Sequence, residues 1–190
     1  MSSDQVRVTR AADRELLVLH ARGDPRAFDE LLRRHRDRMW RLALRTLDDP
    51  EDAADAVQEA CLSAFRAAGR FRGDAAVSTW LHRIVINACW DRARRNAVRA
   101  ALPLPDEGGA QPDPAEAGGL ALDVRSALAC LSFDQRTALV LIDMMGYTVK
   151  DASRVLGIKP ATAKSRCVRG RARLAPLLAQ HRGARSPAVG

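Results

Sequence analysis

Hydrophobic residues recur every three or four positions in each long segment of this 190-residue chain, and no segment shows the convincing two-residue alternation of a β-strand. This period is typical of helices that bury one face, so the sequence predicts an all-α fold. The pattern predicts eight helices, over residues 13–21, 25–47, 50–68, 78–100, 120–131, 133–144, 148–156 and 160–178.

One segment, residues 101–119, has a composition that cannot bury a core. It contains four of the nine prolines, four of the twelve glycines and four acids, without a basic residue. Such a composition is typical of a flexible linker. We therefore expect two small helical domains, over residues 13–100 and 120–180, joined by this linker.

The last two predicted helices form a helix-turn-helix pattern. Gly146 suits a left-handed C-cap, and Thr148 with Asp151 forms a short capping box at the start of the next helix. Leu-Gly-Ile at residues 156–158 supplies a tight turn. Pro160 suits the first position of the second helix, because that position needs no amide donor.

The second of these helices has one apolar stripe and one basic side. The stripe, which we expect to face the core, consists of Ala163, Cys167, Gly170 and Leu174. The opposite side carries Thr162, Lys164, Ser165, Arg166, Arg169 and Arg173. Such side chains contact phosphates and, through arginine, guanine edges in the major groove. The helix is therefore predicted to read duplex DNA; the alternative is a solvated basic face.

Charge and cysteine spacing narrow the classes of function. The net charge is +8, and residues 146–190 hold ten Lys/Arg and one acid, which favours a polyanionic partner. No apolar run is long enough for a membrane span or a signal peptide, so we expect a cytoplasmic protein. The four cysteines lie far apart and we expect reduced thiols, without a metal site or cofactor. A redox switch between Cys89 and Cys167 is the alternative.

An acidic helix stands out in the first predicted domain. Residues 48–59 contain six acids and no base. Its apolar stripe is predicted to contain Ala54, Val57, Cys61, Ala64, Phe65 and Ala68. The outward positions are then Asp52, Asp55, Gln58 and Glu59, a face suited to a basic protein surface. Favourable charge at a helix N-terminus explains Glu51 and Asp52 equally well, but it does not explain the later positions.

The next helix and the loop before it form a second basic segment. Seven arginines stand against two aspartates between residues 69 and 99. Trp80, Leu81, Ile84, Val85 and Ala88 are predicted to pack in a core, with His82 at the surface. Asn87 and Trp90 lie beside arginines, where an amide and an aromatic ring can bind single-stranded bases.

Together these residues resemble a known family. The acidic-aromatic stretch from residue 52 to residue 95, the Pro/Gly-rich linker and the motif GYTVKDASRVLGIKPATAKSRCVRGRARL are similar, in this order, to the extracytoplasmic-function (ECF) sigma factors of the sigma-70 family, most of all to actinobacterial SigM-type members. The resemblance covers residues 13–178. It implies a non-enzymatic subunit that binds core RNA polymerase and directs transcription from specific promoters, in a stress or envelope response and under an anti-sigma factor.

The resemblance also implies roles for individual residues. Residues 13–100 correspond to region 2, in which Asp52, Asp55, Gln58 and Glu59 would bind the β′ clamp helices of the polymerase. The candidates for contact with the −10 element are Arg72, Ser78, Arg83, Asn87, Trp90 and Arg94. Residues 120–180 correspond to region 4, which would read the −35 element through the six exposed residues of its second helix, with Arg171 as a further contact to the DNA backbone. The β flap of the polymerase is expected as a second contact of the chain with core enzyme.

The family usually has Ala where this chain has Gly170, so we expect this glycine to weaken the helix by up to about 1 kcal/mol. Ala163 and the Lys159-Pro160 pair also depart from the usual residues.

Two other classes of function stay open on the residues alone. The first is a stand-alone helix-turn-helix regulator with a sensing N-terminal module, for which the acidic face would have no use. The second is a nucleic-acid-processing enzyme, which would need clustered carboxylates or metal ligands.

Overall fold

The structure, a computed structural model, describes residues 8–9, 11–101 and 119–184. All secondary structure in these ranges is helical, which confirms the all-α prediction. The chain divides into two compact units, Met1–Trp90 and Asp91–Gly190. Most of the predicted linker, residues 102–118, lies outside the described residues, so the domain limits 13–100 and 120–180 stay predictions.

From residue 11 to residue 101 the described chain forms α1 (Asp13–Ala21), α2 (Pro25–Leu47), α3 (Pro50–Ala67) and α4 (Val77–Ala101). A short 3-10 turn, Ala68–Arg70, follows α3.

Asp-Pro pairs begin both α2 and α3. The Asp24 carboxylate accepts a hydrogen bond from the amide of Arg26, and Asp49 accepts one from the amide of Asp52, at 3.0 and 2.8 Å. Each aspartate thus satisfies an orphan amide of the first turn. The helices α1, α2 and α3 pack against one another, and Leu16, Leu31, Met39, Leu42 and Leu81 are fully buried.

The second part contains α5 (Gly119–Ala129), α6 (Phe133–Leu139), α7 (Val149–Leu156) and α8 (Pro160–Ala184). The helix that the sequence predicts as continuous over 133–144 changes at Val140 into a π-helical turn, Val140–Met144. The helix α8 packs against α5, α6 and α7. Leu128, Leu131, Ala138, Leu139 and Cys167 form the centre of this core.

Candidate nucleic-acid and protein interfaces

The turn between α7 and α8 has the geometry that the sequence predicts. The Thr148 hydroxyl accepts a hydrogen bond from the Asp151 amide at 3.1 Å and donates one to the Asp151 carboxylate at 2.8 Å. These contacts and Arg154 hold the pKa of Asp151 below its ordinary value. Gly146 and Gly157 both have positive φ, at 73° and 65°, so glycine is suited to both turns. The helix-turn-helix prediction is confirmed.

The inner face of α8 consists of the four predicted residues. Ala163, Cys167 and Gly170 are buried, and Leu174 packs on the same core. A Cβ atom on Gly170 would lie 2.7 Å from Cδ1 and 3.1 Å from Cγ of Leu139. Gly170 therefore allows a close approach between α8 and α6, a role that the sequence does not predict.

The outer face of α8 is basic and exposed. Lys164, Ser165, Arg169 and Arg173 are exposed, and Thr162 is half-buried. Val168 also lies on this face, with its side chain 53% exposed, and it is not among the residues predicted from the sequence. The signal in the sequence is that Val168 is an isolated aliphatic residue among the polar positions of this helix. An exposed aliphatic side chain on such a face can contact the methyl group of thymine.

Two further arginines of α8 are engaged by acids of the same unit. Arg166 Nη2 lies 2.6 Å from Asp134 Oδ2, and the Arg166 side chain is only 24% exposed. Arg171 makes a bidentate contact with Asp143, with Nε–Oδ2 and Nη2–Oδ1 distances of 2.9 and 2.5 Å. The sequence predicts Arg166 as a DNA contact, whereas in the structure its guanidinium faces a carboxylate.

The acidic helix, α3, and the turn after it bury part of the predicted stripe, namely Val57, Ala64 and Ala68. The innermost residues of α3 are alanines at positions 53, 56, 60 and 64 together with Val57. Ala54 is exposed and Phe65 is 52% exposed, so these two assignments to the stripe were wrong, and Cys61 is half-buried. The small alanines allow α2 to pack closely, and a larger side chain is left at the edge of the contact.

The predicted outward positions of α3 do face outward. Asp55 and Gln58 are exposed, and Asp52 and Glu59 are half-buried. Phe65 rests against the rings of His20 and Phe28, with centroid distances of 4.6 and 5.2 Å.

A groove of about 840 Å³ runs beside this face, between α3 and α2. The α3 side contributes Gln58 and Cys61, and the α2 side contributes Arg33, Arg36 and Trp40. The residues on the α2 side of this groove are not among those predicted from the sequence. The signal that could have found it is the spacing of Asp29, Leu32 or Arg33, Arg36 and Trp40, which places them on one stripe of α2.

The helix α4 carries four of the predicted −10 residues on one stripe. Arg83, Asn87, Trp90 and Arg94 follow one another at spacings of four, three and four, and all four are exposed. The Trp90 side chain is 49% exposed. The helix therefore presents an amide and an indole between two guanidinium groups.

The other two predicted −10 residues lie near the start of α4. Arg72 is exposed in the preceding loop, and Ser78 is half-buried in the first turn. Gly73 in this loop has a φ of 78°, and the Arg14 guanidinium lies so close that a Cβ at this glycine would be 2.5 Å from its Nη2 atom. Trp80 is half-buried, with its ring 5.3 Å from that of Phe71.

His82 is buried, with 2% of its surface exposed, so its assignment to the surface was wrong. Burial, with the nearby charges of His35 and Arg38, lowers its pKa to about 4. The helix α4 turns this residue inward beside Leu81, because consecutive positions lie about 100° apart around a helix.

The two cysteines of the alternative redox hypothesis are both buried. Burial raises the pKa of Cys89 to about 12. Burial and the Asp143 carboxylate raise the pKa of Cys167 above its usual value. Both thiols are thus held protonated, and a protonated thiol is a poor nucleophile. Within the described ranges, no cluster of three or more His, Cys, Asp or Glu side chains could hold a metal ion.

No helix within the described residues is long and apolar enough to span a membrane.

Comparison with known proteins identifies two regions of one family. Residues 31–99 match the family model for Sigma-70 region 2, and residues 121–174 match the model for Sigma-70 region 4. The chain is 51% identical over 167 residues to the ECF RNA polymerase sigma factor SigM of Mycobacterium tuberculosis, with 88% of this chain and 85% of that protein covered.

Two solved structures are similar to this chain over most of its length. One is CnrH in complex with the cytosolic domain of CnrY, with a TM-score of 0.68, 29% identity and coverage of 90% of this chain and 99% of that chain. The other is the sigma factor RpoE in complex with the anti-sigma factor NepR from Bartonella quintana, with a TM-score of 0.66, 26% identity and coverage of 80% and 96%.

Proposed function

This chain belongs to the ECF sigma factors of the sigma-70 family, which are non-enzymatic factors that direct transcription, and we propose that three of its polar surfaces have separate binding roles in transcription initiation. In this proposal the outward face of α3 binds core RNA polymerase, the stripe on α4 binds the opened −10 element, and α8 reads the −35 element. The observation that carries the proposal is the opposite charge of the α3 and α8 faces.

The polymerase surface consists of Asp52, Asp55, Gln58 and Glu59 on α3, together with the groove against α2. A face of acids and amides suits a basic partner, and charge complementarity increases the rate and specificity of association. It is unsuited to phosphates, which carry the same sign of charge. We propose the β′ clamp helices as the partner of this surface and the β flap as a partner of the second unit.

Co-elution with core polymerase tests the first surface. We expect the full chain to co-elute with core enzyme on a sizing column and Asp55→Ala to weaken that association at moderate salt. Glu15→Ala removes one exposed acid from α1 instead and serves as the matched control. Equal association of both variants and the unchanged chain would contradict the role of α3.

The −10 surface is proposed to hold unpaired bases. Stacking on an aromatic side chain contributes about 1–3 kcal/mol per base, which offsets part of the cost of taking a base out of the duplex. Trp90 is exposed enough to stack, Asn87 can hydrogen-bond a base edge, and Arg83 and Arg94 flank them on the same face. Arg72 and Ser78 are proposed to contact the same strand near the start of α4.

A fork-shaped promoter with an unpaired −10 strand tests this surface. Asn87→Ala in the polymerase complex should weaken binding to the fork while leaving binding to a duplex limited to the −35 element unchanged. An equal loss on both DNAs would place Asn87 outside −10 recognition.

The −35 surface is proposed to consist of Thr162, Lys164, Ser165, Arg169 and Arg173. Lys164 and Arg169 are long and exposed, so both can reach phosphates or base edges. Lys164→Ala and Arg169→Ala should each reduce affinity for the −35 duplex, by about tenfold for a lost base contact. Arg154→Ala removes a charge that pairs with Asp151 at 2.9 Å, and this variant is the matched control.

An anti-sigma factor is the proposed inhibitor. The similarity to a sigma factor solved with the anti-sigma factor NepR supports this partner class. Competition between such a protein and core polymerase for the full chain would test it, and we place this exchange in the cytoplasm, where the polymerase acts.

A further inference from the structure

The recognition helix α8 is attached to α6 and its π-helical turn at three points. Asp134 contacts Arg166, Leu139 contacts Gly170, and Asp143 contacts Arg171. The three α6-side residues lie near the start of α6, at its end and in the π-helical turn. This arrangement has consequences for which arginines of α8 can touch DNA.

Arg166 is withdrawn from solvent compared with its neighbours. Its side chain is 24% exposed, and its Nη2 lies 2.6 Å from Asp134. Lys164 and Arg169, two and three positions away, are exposed. To reach DNA, Arg166 would have to break its ion pair with Asp134. The unpaired Asp134 carboxylate would then be a negative charge beside the phosphates.

Arg171 is fixed in a more directional contact. Two parallel nitrogen–oxygen contacts of 2.9 and 2.5 Å join it to Asp143. Bidentate pairs of this kind specify orientation as well as proximity. The Asp143 carboxylate also lies 3.8 Å from the sulfur of Cys167, a residue of the buried stripe. Asp143, in the π-helical turn, thus contacts both the outer face of α8, through Arg171, and its buried stripe, through Cys167.

The Gly170 contact lies along α8 between the two ion pairs. Because no Cβ separates this part of α8 from Leu139, the two helices approach closely there. A close apolar contact fixes the distance between helices but leaves rotation about the contact less restricted. Two charged contacts, one before Gly170 and one after it, restrict that rotation.

We propose that Asp134 and Asp143 are positioning residues that hold α8 in its DNA-reading orientation, with Arg166 and Arg171 as their partners and not as DNA contacts. The inference rests on the proposed reading of the −35 element by Lys164 and Arg169. It removes two predicted DNA contacts, Arg166 and Arg171, and assigns a role to two acids that were not predicted from the sequence.

A charge exchange between Asp134 and Arg166 tests the inference. The full chain is combined with core polymerase, and affinity is measured on a promoter duplex that the unchanged complex has selected from a random-sequence library. Arg166→Asp alone should lose about tenfold or more in affinity, because two acids then face each other. Adding Asp134→Arg should recover most of that loss. If Arg166 contacts DNA, the double variant stays at least as weak as Arg166→Asp, and the inference is overturned.

Asp134→Asn gives a second, milder test that does not depend on the exchange. A positioning role predicts weaker binding, by roughly threefold or more. Tighter binding, or no change, would mean that Asp134 merely competes with DNA for Arg166, and it would overturn the inference. Circular dichroism of each variant checks that the helical content is retained.

The salt dependence of binding separates positioning from contact. Each lost phosphate contact makes the negative slope of log affinity against log salt shallower by about 0.9. Arg166→Ala should weaken binding without changing this slope, whereas a shallower slope would overturn the inference. Lys164→Ala and Arg169→Ala test the proposed function separately. If neither variant weakens binding, then α8 does not read the −35 element, and this conclusion does not depend on the roles of Asp134 and Asp143.

Discussion

Replacing Gly170 with alanine is the sharpest test of how α8 packs. Alanine is favoured over glycine in a helix interior by about 1 kcal/mol, so helix propensity alone predicts a more stable second unit. The structure predicts the opposite sign. The new Cβ would lie 2.7 and 3.1 Å from two atoms of Leu139, a core residue that is only 3% exposed and has little room to move.

Overpacking a core typically costs about 1–3 kcal/mol. After the gain in helix propensity, we expect Gly170→Ala to lower the free energy of unfolding of the second unit by about 0–2 kcal/mol. In a Leu139→Ala background both clashing atoms are gone. The same change should then be neutral or should stabilise the unit by up to about 1 kcal/mol.

Native-state hydrogen exchange of peptides from α8 measures this free energy locally. Trp40, Trp80 and Trp90 all lie before residue 91, so tryptophan fluorescence follows the first unit and should show no change. Slower exchange in α8 for Gly170→Ala in the otherwise unchanged chain would refute the close-contact argument. Destabilisation of equal size in both backgrounds would also refute it.

Three further predictions concern the first unit and the thiols. Asp48 ends α2 with a φ of 67°, so Asp48→Val should have a free energy of unfolding at least about 1 kcal/mol lower than that of Asp48→Gly in urea titrations. The pKa of His82 falls from 6.5 to about 4 on folding, so the unfolded chain binds more protons and stability should fall as pH drops through that range. His82→Gln should flatten this dependence, and an unchanged slope in fluorescence-monitored unfolding would contradict the assignment. Exposed Cys130 should react with a thiol reagent well before buried Cys89, and equal rates by mass spectrometry would contradict the protection of Cys89.

Several features could be predicted because their causes are local in the sequence. The turn at Gly157, the cap at Thr148 and the start of α8 at Pro160 depend on residues within a few positions of one another. The inner stripe of α8 was also predicted correctly, because its polar side is so strongly charged that only one side can be buried.

The buried face of α3 shows where this reasoning fails. The helix contains alanine at many positions, and alanine contributes too little to hydrophobic periodicity to choose between adjacent stripes. The close packing of α2 made that choice: alanines 53, 56 and 60 are buried, whereas Phe65 lies at the edge of the contact with its ring against Phe28. The prediction of His82 at the surface failed for a related reason. The burial of a single polar residue depends on which residues pack around it, and its own position in the sequence does not show which they are.

The sequence by itself determined the helical class, the helix-turn-helix and the family, because caps, turns and helical periods are encoded over short distances along the chain. Only the tertiary structure decided which arginines of α8 are held by acids. Arg166 meets Asp134 across 32 positions and Arg171 meets Asp143 across 28. No local pattern encodes such pairs, because they exist only once α6 and α8 have packed together.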